Sequence, residues 1–170
     1  LGPGLMAGNT IELLVERLQL QPHPEGGFYR ESYRSPLEVG PGAGIEGTRA
    51  CCTSILFLLT AGNFSAFHRI RQDELWNFHD GDPLELHILT PAGEHQLIII
   101  GRDVSAGQVM QFVVPAGHWF ASRVMGQGAW SLVGCVVAPG FDFRDFELAD
   151  RAVLAAEFPQ HNDLIRELTR

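Results

Sequence analysis

The sequence contains no lysine, and this absence sets its charge. Twenty carboxylates face twelve basic side chains, all of them arginine, which leaves a formal net charge of −8 at pH 7. The arginines are scattered along the chain and form no basic run. Nucleic-acid binding relies on clustered basic side chains that neutralise several phosphates, so no nucleic-acid partner is expected. An anionic small ligand stays compatible with the sequence, since one or two arginines can bind it.

Cysteine is scarce, and long apolar runs are missing. Cys51, Cys52 and Cys135 lack the spacing of a metal site, and we interpret them as free thiols. Neighbouring residues on a strand point to opposite faces, so the vicinal pair is not expected to form a disulfide. Free thiols are typical of the cytosol, which predicts a cytoplasmic location. Residues 51–61 are too short to span a bilayer, so no membrane partner is expected.

A chain of 170 residues with 45% apolar and 19% charged side chains has the size and composition of one globular domain. Residues 1–5 are interpreted as an artificial N-terminal extension ahead of a start at Met6. The sequence shows no internal repeat or linker. Residues 6–170 are therefore predicted to form a single domain.

Short strands dominate the predicted secondary structure. Asn9 and Glu12 resemble a capping box, and apolar residues at helical spacing follow them to Leu18. Near the end of the chain, residues 150–158 predict a helix, and Asn162 is expected to cap a last helical turn. Between these helices, strand patterns separated by Gly, Pro or Asp turns occupy residues 28–34, 51–60, 65–70, 74–79, 84–89, 96–101, 111–114, 118–125 and 129–138. This order predicts an all-β antiparallel sandwich or jelly roll with a short N-terminal helix and C-terminal helices.

The stretch GNFSAFHRIRQDELWNFHDG carries the most specific spacing in the sequence. It resembles the first motif of the cupins, which has a glycine, two histidines, a glutamate and a closing glycine at fixed intervals. Gly62, His68, Glu74 and Gly81 fall in register with that motif. Ile70 stands where the second histidine is normally found.

A second cupin motif is matched in part, because Pro115 and Gly117 fit it, Phe120 holds its histidine position and His118 lies two residues too early. Further resemblance is carried by PEGGFYRESYRS, TSILFLLTAG, DELWNFHDGDPLELHIL, VPAGHWFASR and GCVVAPGFDFRDFEL. Together these segments resemble a compact bacterial and fungal cupin family of unknown function. That family is similar in fold to sugar-nucleotide epimerases, germins and auxin-binding proteins. The resemblance implies a cupin-type double-stranded β-helix, and a homodimer for which residues 51–60 are a candidate contact.

Strand alternation predicts what the barrel interior offers. If His68 points inward then so does Ile70, while Glu74, Trp76 and Phe78 share one face of the returning strand. One imidazole and one carboxylate would then lie in a mostly apolar pocket that binds a small molecule. Other residues predicted to contact this ligand are Phe120, Trp119, Tyr29, Arg30 and His87.

A metal centre is weakly supported, because a catalytic metal site usually needs three protein ligands. Only His68 and Glu74 are available, since hydrocarbon side chains replace the other donors. No cofactor is therefore expected, and if a metal binds, these two residues are its candidate ligands.

Three functions stay open. In the first, His68 is a general acid or base oriented by Glu74, in a metal-independent isomerase or epimerase acting on a sugar-like or carbonyl compound. The second is a non-catalytic small-molecule binding module, and the third is a metal-dependent cupin enzyme. A purely structural His–Glu pair is an equally good interpretation of the two residues.

Overall fold

The computed structural model describes residues 3–170, with side chains from Asn9 onward. Helices lie near the two ends of the chain, at α1 (Pro3–Arg17), α2 (Arg151–Glu157) and α3 (Asn162–Glu167). The interpretation of residues 1–5 as an artificial extension falls partly outside the described residues. It stays a prediction, as does the assignment of residues 6–170 to one domain.

Thirteen strands connect these helices within the described residues. In chain order they are β1 (Gln21–Pro22), β2 (Phe28–Arg34), β3 (Glu38–Val39), β4 (Arg49–Ala50), β5 (Thr53–Thr60), β6 (Phe64–Arg69), β7 (Asp73–Gly81), β8 (Leu84–Leu89), β9 (His95–Ile100), β10 (Gln111–Val114), β11 (Trp119–Val124), β12 (Trp130–Ala138) and β13 (Glu147–Leu148). Single 3-10 turns occupy Val104–Ala106, Phe143–Asp145 and Pro159–His161.

The strands form two sheets and a small two-stranded ribbon of β3 and β4. The larger sheet has the order β1-β2-β5-β12-β7-β10, and the smaller has the order β13-β6-β11-β8-β9. From β5 to β8 and again from β10 to β13, the chain crosses from one sheet to the other at every strand. This alternation is typical of a jelly-roll barrel, and it confirms the predicted fold class.

Apolar side chains alternate along the strands and fill the space between the sheets. Leu84, Leu86 and Ile88 of β8 point inward and have no exposed surface. They share a core cluster with Trp76 of β7 and Phe120 of β11. Each fully buried side chain of this kind stabilises the fold by about 1.5–3 kcal/mol.

The helices cover the outer faces of the sheets. Leu154 of α2 and Ile165 of α3 belong to a buried cluster with Phe67 and Trp119 of the smaller sheet. Apolar residues of α1 pack near Leu58 of the larger sheet. The inner faces of the two sheets therefore pack against each other, and helices pack against their outer faces.

The helix starts differ from those predicted. The capping box at Asn9 is wrong, because α1 already includes this residue and begins at Pro3. Asn162 is the first residue of α3, and His161 occupies the cap position instead. The strand patterns are confirmed, and β2, β8 and β10 have the predicted bounds.

The predicted contact of residues 51–60 with a second subunit would have to be made by side chains and not by backbone strand pairing. Strand β5 is paired on one side with β2 and on the other with β12, so its backbone has no free edge. The outermost strands of this sheet are β1 and β10. The homodimer itself stays a prediction.

The three cysteines are free thiols, as predicted. Cys51 and Cys52 are half-buried and Cys135 is buried. Within residues 3–170, no helix is long and apolar enough to cross a bilayer.

A buried ion pair holds the segment that follows β12 against the rest of the barrel. Arg49 donates from Nε and Nη2 to the Asp145 carboxylate, at 2.8 and 2.9 Å. Gln72 donates to the same carboxylate at 2.7 Å. These hydrogen bonds, those from Arg49 first, hold the pKa of Asp145 below its ordinary value. Asp145 is therefore a fixed charge that joins β4, the turn before β7 and the chain between β12 and β13.

We expect Asp145→Asn to destabilise the fold strongly, because it leaves the buried Arg49 guanidinium without its counter-charge. Glu147→Gln is a matched control, since Glu147 pairs with Arg69 but is 55% exposed. The shift of the urea unfolding midpoint should be about three times larger, or more, for Asp145→Asn than for the control. Equal shifts would show that the buried pair does not hold this segment.

Candidate functional site

A cavity of about 540 Å³ opens at the end of the barrel where β5 and β7 begin and β6 and β12 end. Its wall includes side chains of these four strands, of β2 and of residues 21–25. Residues 141–146, which we call the roof segment, complete it. The middle of the barrel below this cavity is packed by the core cluster.

His68 and Glu25 form a buried ion pair in the cavity. His68 Nε2 lies 2.8 Å from Glu25 Oε2, and both side chains are more than nine-tenths buried. The other ring nitrogen of His68 lies 2.7 Å from the carbonyl oxygen of Ala66, so that nitrogen carries a hydrogen and donates it. With both nitrogens facing oxygen, the geometry favours the doubly protonated imidazolium.

In this pair, the interaction between the two side chains has a larger net effect on their pKa values than burial does. Desolvation alone would lower the pKa of His68, but the charge and hydrogen bond of Glu25 outweigh it, and the pKa is raised. For Glu25, desolvation would raise the pKa, but the imidazolium of His68 outweighs it, and the pKa is lowered. Both pKa shifts favour the charged form of the pair.

The glycine pair that follows Glu25 sets its position. Gly26 has a φ of +113°, and a Cβ there would collide with the carbonyl oxygen of Phe64 on β6. The backbone of Glu25 is held as well, since its carbonyl oxygen accepts a 2.9 Å hydrogen bond from the amide of Ala66. Glycine is thus needed for the turn to reach the strand that carries His68.

Glu74 lies in the same cavity but not in the ion pair. Its Oε2 accepts a 3.0 Å hydrogen bond from the indole nitrogen of Trp76. Desolvation first, together with the negative charge of Glu25, raises the pKa of Glu74 to about 7, although the charge of His68 and the Trp76 hydrogen bond oppose this. Near neutral pH, this carboxyl group is populated in both its protonated and its ionised form.

His23 is a neutral member of the site. Its Nδ1 accepts a 3.2 Å hydrogen bond from the Glu25 amide, so the hydrogen of the neutral ring is on Nε2. Burial lowers the pKa of His23, and the positive charge of His68 adds to this effect. The ring makes an edge contact with Tyr29, with 4.5 Å between centroids.

The roof segment is aromatic. Phe141, Phe143 and Phe146 contact one another at centroid distances of 4.9–6.3 Å. The rings of Phe143 and Phe146 each lie 6.4 Å from the ring of His23. Aromatic side chains therefore line the cavity from Trp76 at its floor to the roof segment.

A β-bulge changes which residues of β2 face the cavity. The register against β5 shifts between Glu31 and Tyr33. Tyr29 and Glu31 line the cavity, but after the bulge Arg34 does so while Tyr33 is half-exposed. Arg34 donates to Glu31 from Nε and Nη2 at 2.7 and 2.9 Å and reaches the carbonyl oxygen of Phe141 at 3.0 Å. It thereby links the barrel rim to the roof segment.

Comparison with known proteins now identifies the chain's family. Residues 12–149 match the family described as the cupin superfamily (DUF985). The chain belongs to this cupin family. A hypothetical protein from Leishmania major is 39% identical, with a TM-score of 0.87 over 93% of this chain and 97% of that one. Protein SO0799 from Shewanella oneidensis is 43% identical, with a TM-score of 0.86 over 94% and 96% of the two chains.

Two further comparisons add less. The uncharacterized protein YML079W of Saccharomyces cerevisiae is 29% identical over 158 residues, covering 81% of this chain and 74% of the yeast protein. Oxalate decarboxylase from Bacillus subtilis is 15% identical, with a TM-score of 0.54 over 86% of this chain and 36% of its own. This last likeness shows the fold alone. The activity of the cupin is thus left open by its relatives.

Some of the predicted site residues do line the cavity. They are His68, Glu74, Trp76, Ile70 and Tyr29. The expected pairing of His68 with Glu74 is wrong, because the partner of His68 is Glu25. Sequence reasoning gave His23 no role and did not consider Glu25. The signal that marks both is the run of proline, glutamate and two glycines directly after His23.

Two predicted ligand contacts lie below the cavity instead. Phe120 is fully buried, with its ring centroid 4.1 Å from that of His68 and 6.2 Å from that of Trp76. Phe78 is one inward position beyond Trp76 on β7 and belongs to the packed core cluster. The prediction that these rings line the ligand cavity is wrong, because neither of them belongs to its wall.

Three other predicted contacts are wrong because their side chains leave the barrel. Trp119 alternates with Phe120, so it lies under the C-terminal helices, where the Arg69 guanidinium stacks on its ring at 4.3 Å. His87 alternates with the inward residues of β8 and lies outside, 2.9 Å from Glu85. Arg30 is exposed and donates to the carbonyl oxygen of Leu18.

The cupin's own side chains do not fit a resident metal. Among the side chains described from Asn9 onward, no three His, Cys, Asp or Glu groups are arranged to hold a metal ion. His68 is committed on both sides, since Nδ1 donates to a backbone oxygen and Nε2 faces Glu25 at 2.8 Å. Ile70, directed at the cavity, has no donor atom. The candidate ligand pair His68 and Glu74 is therefore not supported by the geometry.

We expect the His68–Glu25 pair to behave as one energetic unit. His68→Gln or Glu25→Gln alone leaves a buried group without its partner, at a cost of about 3–5 kcal/mol. The double variant should lose clearly less than the sum of the two single losses. Urea unfolding at pH 6 measures all four proteins. Additive losses would contradict direct pairing.

Glu74 should make stability fall as pH rises. The folded-state pKa is about 7 against an ordinary value of 4.5, so ionisation of Glu74 between these values favours the unfolded chain. Glu74→Gln cannot ionise. Its free energy of unfolding, relative to the native protein, should therefore rise by about 3 kcal/mol in total between pH 4.5 and 7. A difference that does not change with pH would contradict the raised pKa.

Proposed function

We propose that this cupin is a metal-independent acid–base enzyme of the isomerase or epimerase type, with Glu74 as the group that exchanges a proton with a small organic substrate in the barrel. The observation that carries the proposal is the position of Glu74. It is a buried carboxyl group on the cavity wall, held by one hydrogen bond from Trp76 and outside the neighbouring ion pair.

The chemistry of Glu74 suits this role. A general acid or base works best when its pKa lies close to the pH at which it operates. The pKa of Glu74 is about 7, whereas Glu25 favours the charged form of its neighbour His68 against the effect of burial. The pKa values of the two carboxyl groups Glu74 and Glu25 are shifted in opposite directions within one cavity, which is typical of acid–base catalysts.

His68 takes a different role from the one first expected. Both of its ring nitrogens face protein oxygens, so it has no free position from which to take a substrate proton. Its positive charge favours the ionised form of Glu74. We assign His68 and Glu25 as positioning residues that fix the charge around the acid–base group.

The proposed reaction needs no other reactant. The Glu74 carboxylate takes a proton from a substrate carbon that lies between a carbonyl group and a C=C double bond, and the electron pair delocalises over both groups. The same carboxyl group then returns the proton to the far carbon of the C=C bond, so that the double bond moves next to the carbonyl. The substrate is isomerised and the protein is unchanged. The small-molecule ligand, the homodimer and the cytoplasmic location belong to this proposal as expectations.

A second candidate function is capture of a ligand without turnover. The aromatic roof segment and Trp76 favour it, since aromatic walls bury a ligand well without any chemistry. Under this alternative, ligand binding would survive Glu74→Gln and no substrate proton would exchange.

Proton exchange with solvent tests the enzyme proposal. The cupin is incubated in heavy water with a bacterial extract of small molecules, and mass spectrometry identifies compounds that gain carbon-bound deuterium. At least one compound should do so with the native protein, and Glu74→Gln should slow the exchange by about a hundredfold or more.

Glu147→Gln, an exposed substitution outside the cavity, is the matched control and should keep the native rate. The proposal fails if no compound gains deuterium beyond the protein-free extract. It also fails if Glu74→Gln exchanges at the native rate.

A further inference from the structure

The charged groups around the cavity are paired with one exception. Glu25 pairs with His68, and Glu31 pairs with Arg34. Asp142 is bound by Arg144, which donates from its side chain at 2.8 and 3.0 Å and from its backbone at 2.8 Å. Among the described side chains that line the cavity, Glu74 is the carboxyl group without a basic partner. Its ionised form would leave the cavity with one negative charge to compensate.

The hydrogen-bond donors of the cavity are also largely committed. Both nitrogens of His68 face protein oxygens, and the indole N–H of Trp76 is bound to Glu74. Arg34 uses Nε and Nη2 on Glu31 and on the roof segment. An anionic ligand would thus meet several carboxylates and no unpaired cation. The Nε2–H group of the neutral His23 is still a donor on this wall, but it carries no charge that could compensate an anion.

Aromatic rings surround the remaining space. Tyr29, Phe141, Phe143 and Phe146 line the cavity around His23, and Trp76 lies at its floor. The face of an aromatic ring attracts a cation, most strongly where water is excluded. The net charge of −8 adds a long-range attraction for cations in the same direction.

We propose that the ligand of this barrel is an organic cation, a protonated amine on an apolar body, whose ammonium group pairs with the Glu74 carboxylate while its body packs against the aromatic rings of the roof segment. The assignment rests on the proposed function, because both use Glu74, and it narrows the substrate class to amine-bearing compounds. It also gives binding a chemical consequence. The ammonium group favours the ionised form of Glu74, which is the form that can take a proton from carbon.

Three probes of the same size and different charge test this assignment. They are benzylamine, benzyl alcohol and benzoate, and their binding is measured by titration calorimetry and by the shift in melting temperature. Benzylamine should bind and stabilise the native protein, because a ligand that binds only the folded state raises its apparent stability. The other two probes should have little effect.

The pH dependence of benzylamine binding has a defined sign. Below pH 7 the ammonium ion must displace the proton of Glu74, so affinity should rise by up to about tenfold per pH unit toward neutrality and then level off. Glu74→Gln should abolish the benzylamine effect, while Glu147→Gln should retain it in full.

Equal or stronger binding of benzoate or benzyl alcohol would overturn the cation assignment, as would benzylamine binding that persists in Glu74→Gln. Binding of none of the probes would overturn it as well. These failures are distinct from failure of the enzyme proposal, which is judged by deuterium exchange alone. If the compounds that exchange deuterium are anionic or neutral, the enzyme proposal stands and the cation assignment falls.

Discussion

The buried pair of His68 and Glu25 is the interaction on which the rest of the site depends. A charged group away from water is tolerated only when a partner compensates it, so the two side chains must reach the cavity together. They come from distant parts of the chain, one from β6 and one from the turn after β1. Their meeting fixes the turn against the barrel and gives the cavity its charged wall. Glu74 is left without a basic partner of its own, because the nearby imidazole of His68 is paired with Glu25.

Most of the fold could be predicted from the periodicity of apolar residues along the strands. Residues 84–89 are predicted as a strand, and the structure has Leu84, Leu86 and Ile88 of β8 pointing inward with no exposed surface. The start of α1 was not predictable in the same way, because Asn9 and Glu12 carry a capping pattern that the helix does not use. A local pattern of side chains competes there with a helix that extends further back.

The sequence predicts correctly those site residues whose orientation depends on alternation along a single strand. Position within a strand correctly brings His68, Ile70 and Trp76 inward. The partner of His68 could not be deduced, because it depends on how a glycine-rich turn packs on a strand more than 40 residues away in sequence. Phe120 shows a different limit of sequence reasoning. Strand alternation predicts that its side chain points into the barrel, but it does not predict how far along the barrel the cavity extends.

The bulge in β2 has a consequence for how such a barrel acquires a new specificity. One additional residue in this strand decides that a guanidinium group, and not a phenol, reaches the rim beside the roof. If the same strand ran without the bulge, the alternation that places Tyr29 and Glu31 inward would continue to Tyr33. The presence or absence of one irregularity in the rim strand therefore determines which side chain stands at the cavity entrance, while the His68–Glu25 pair on other elements stays in place.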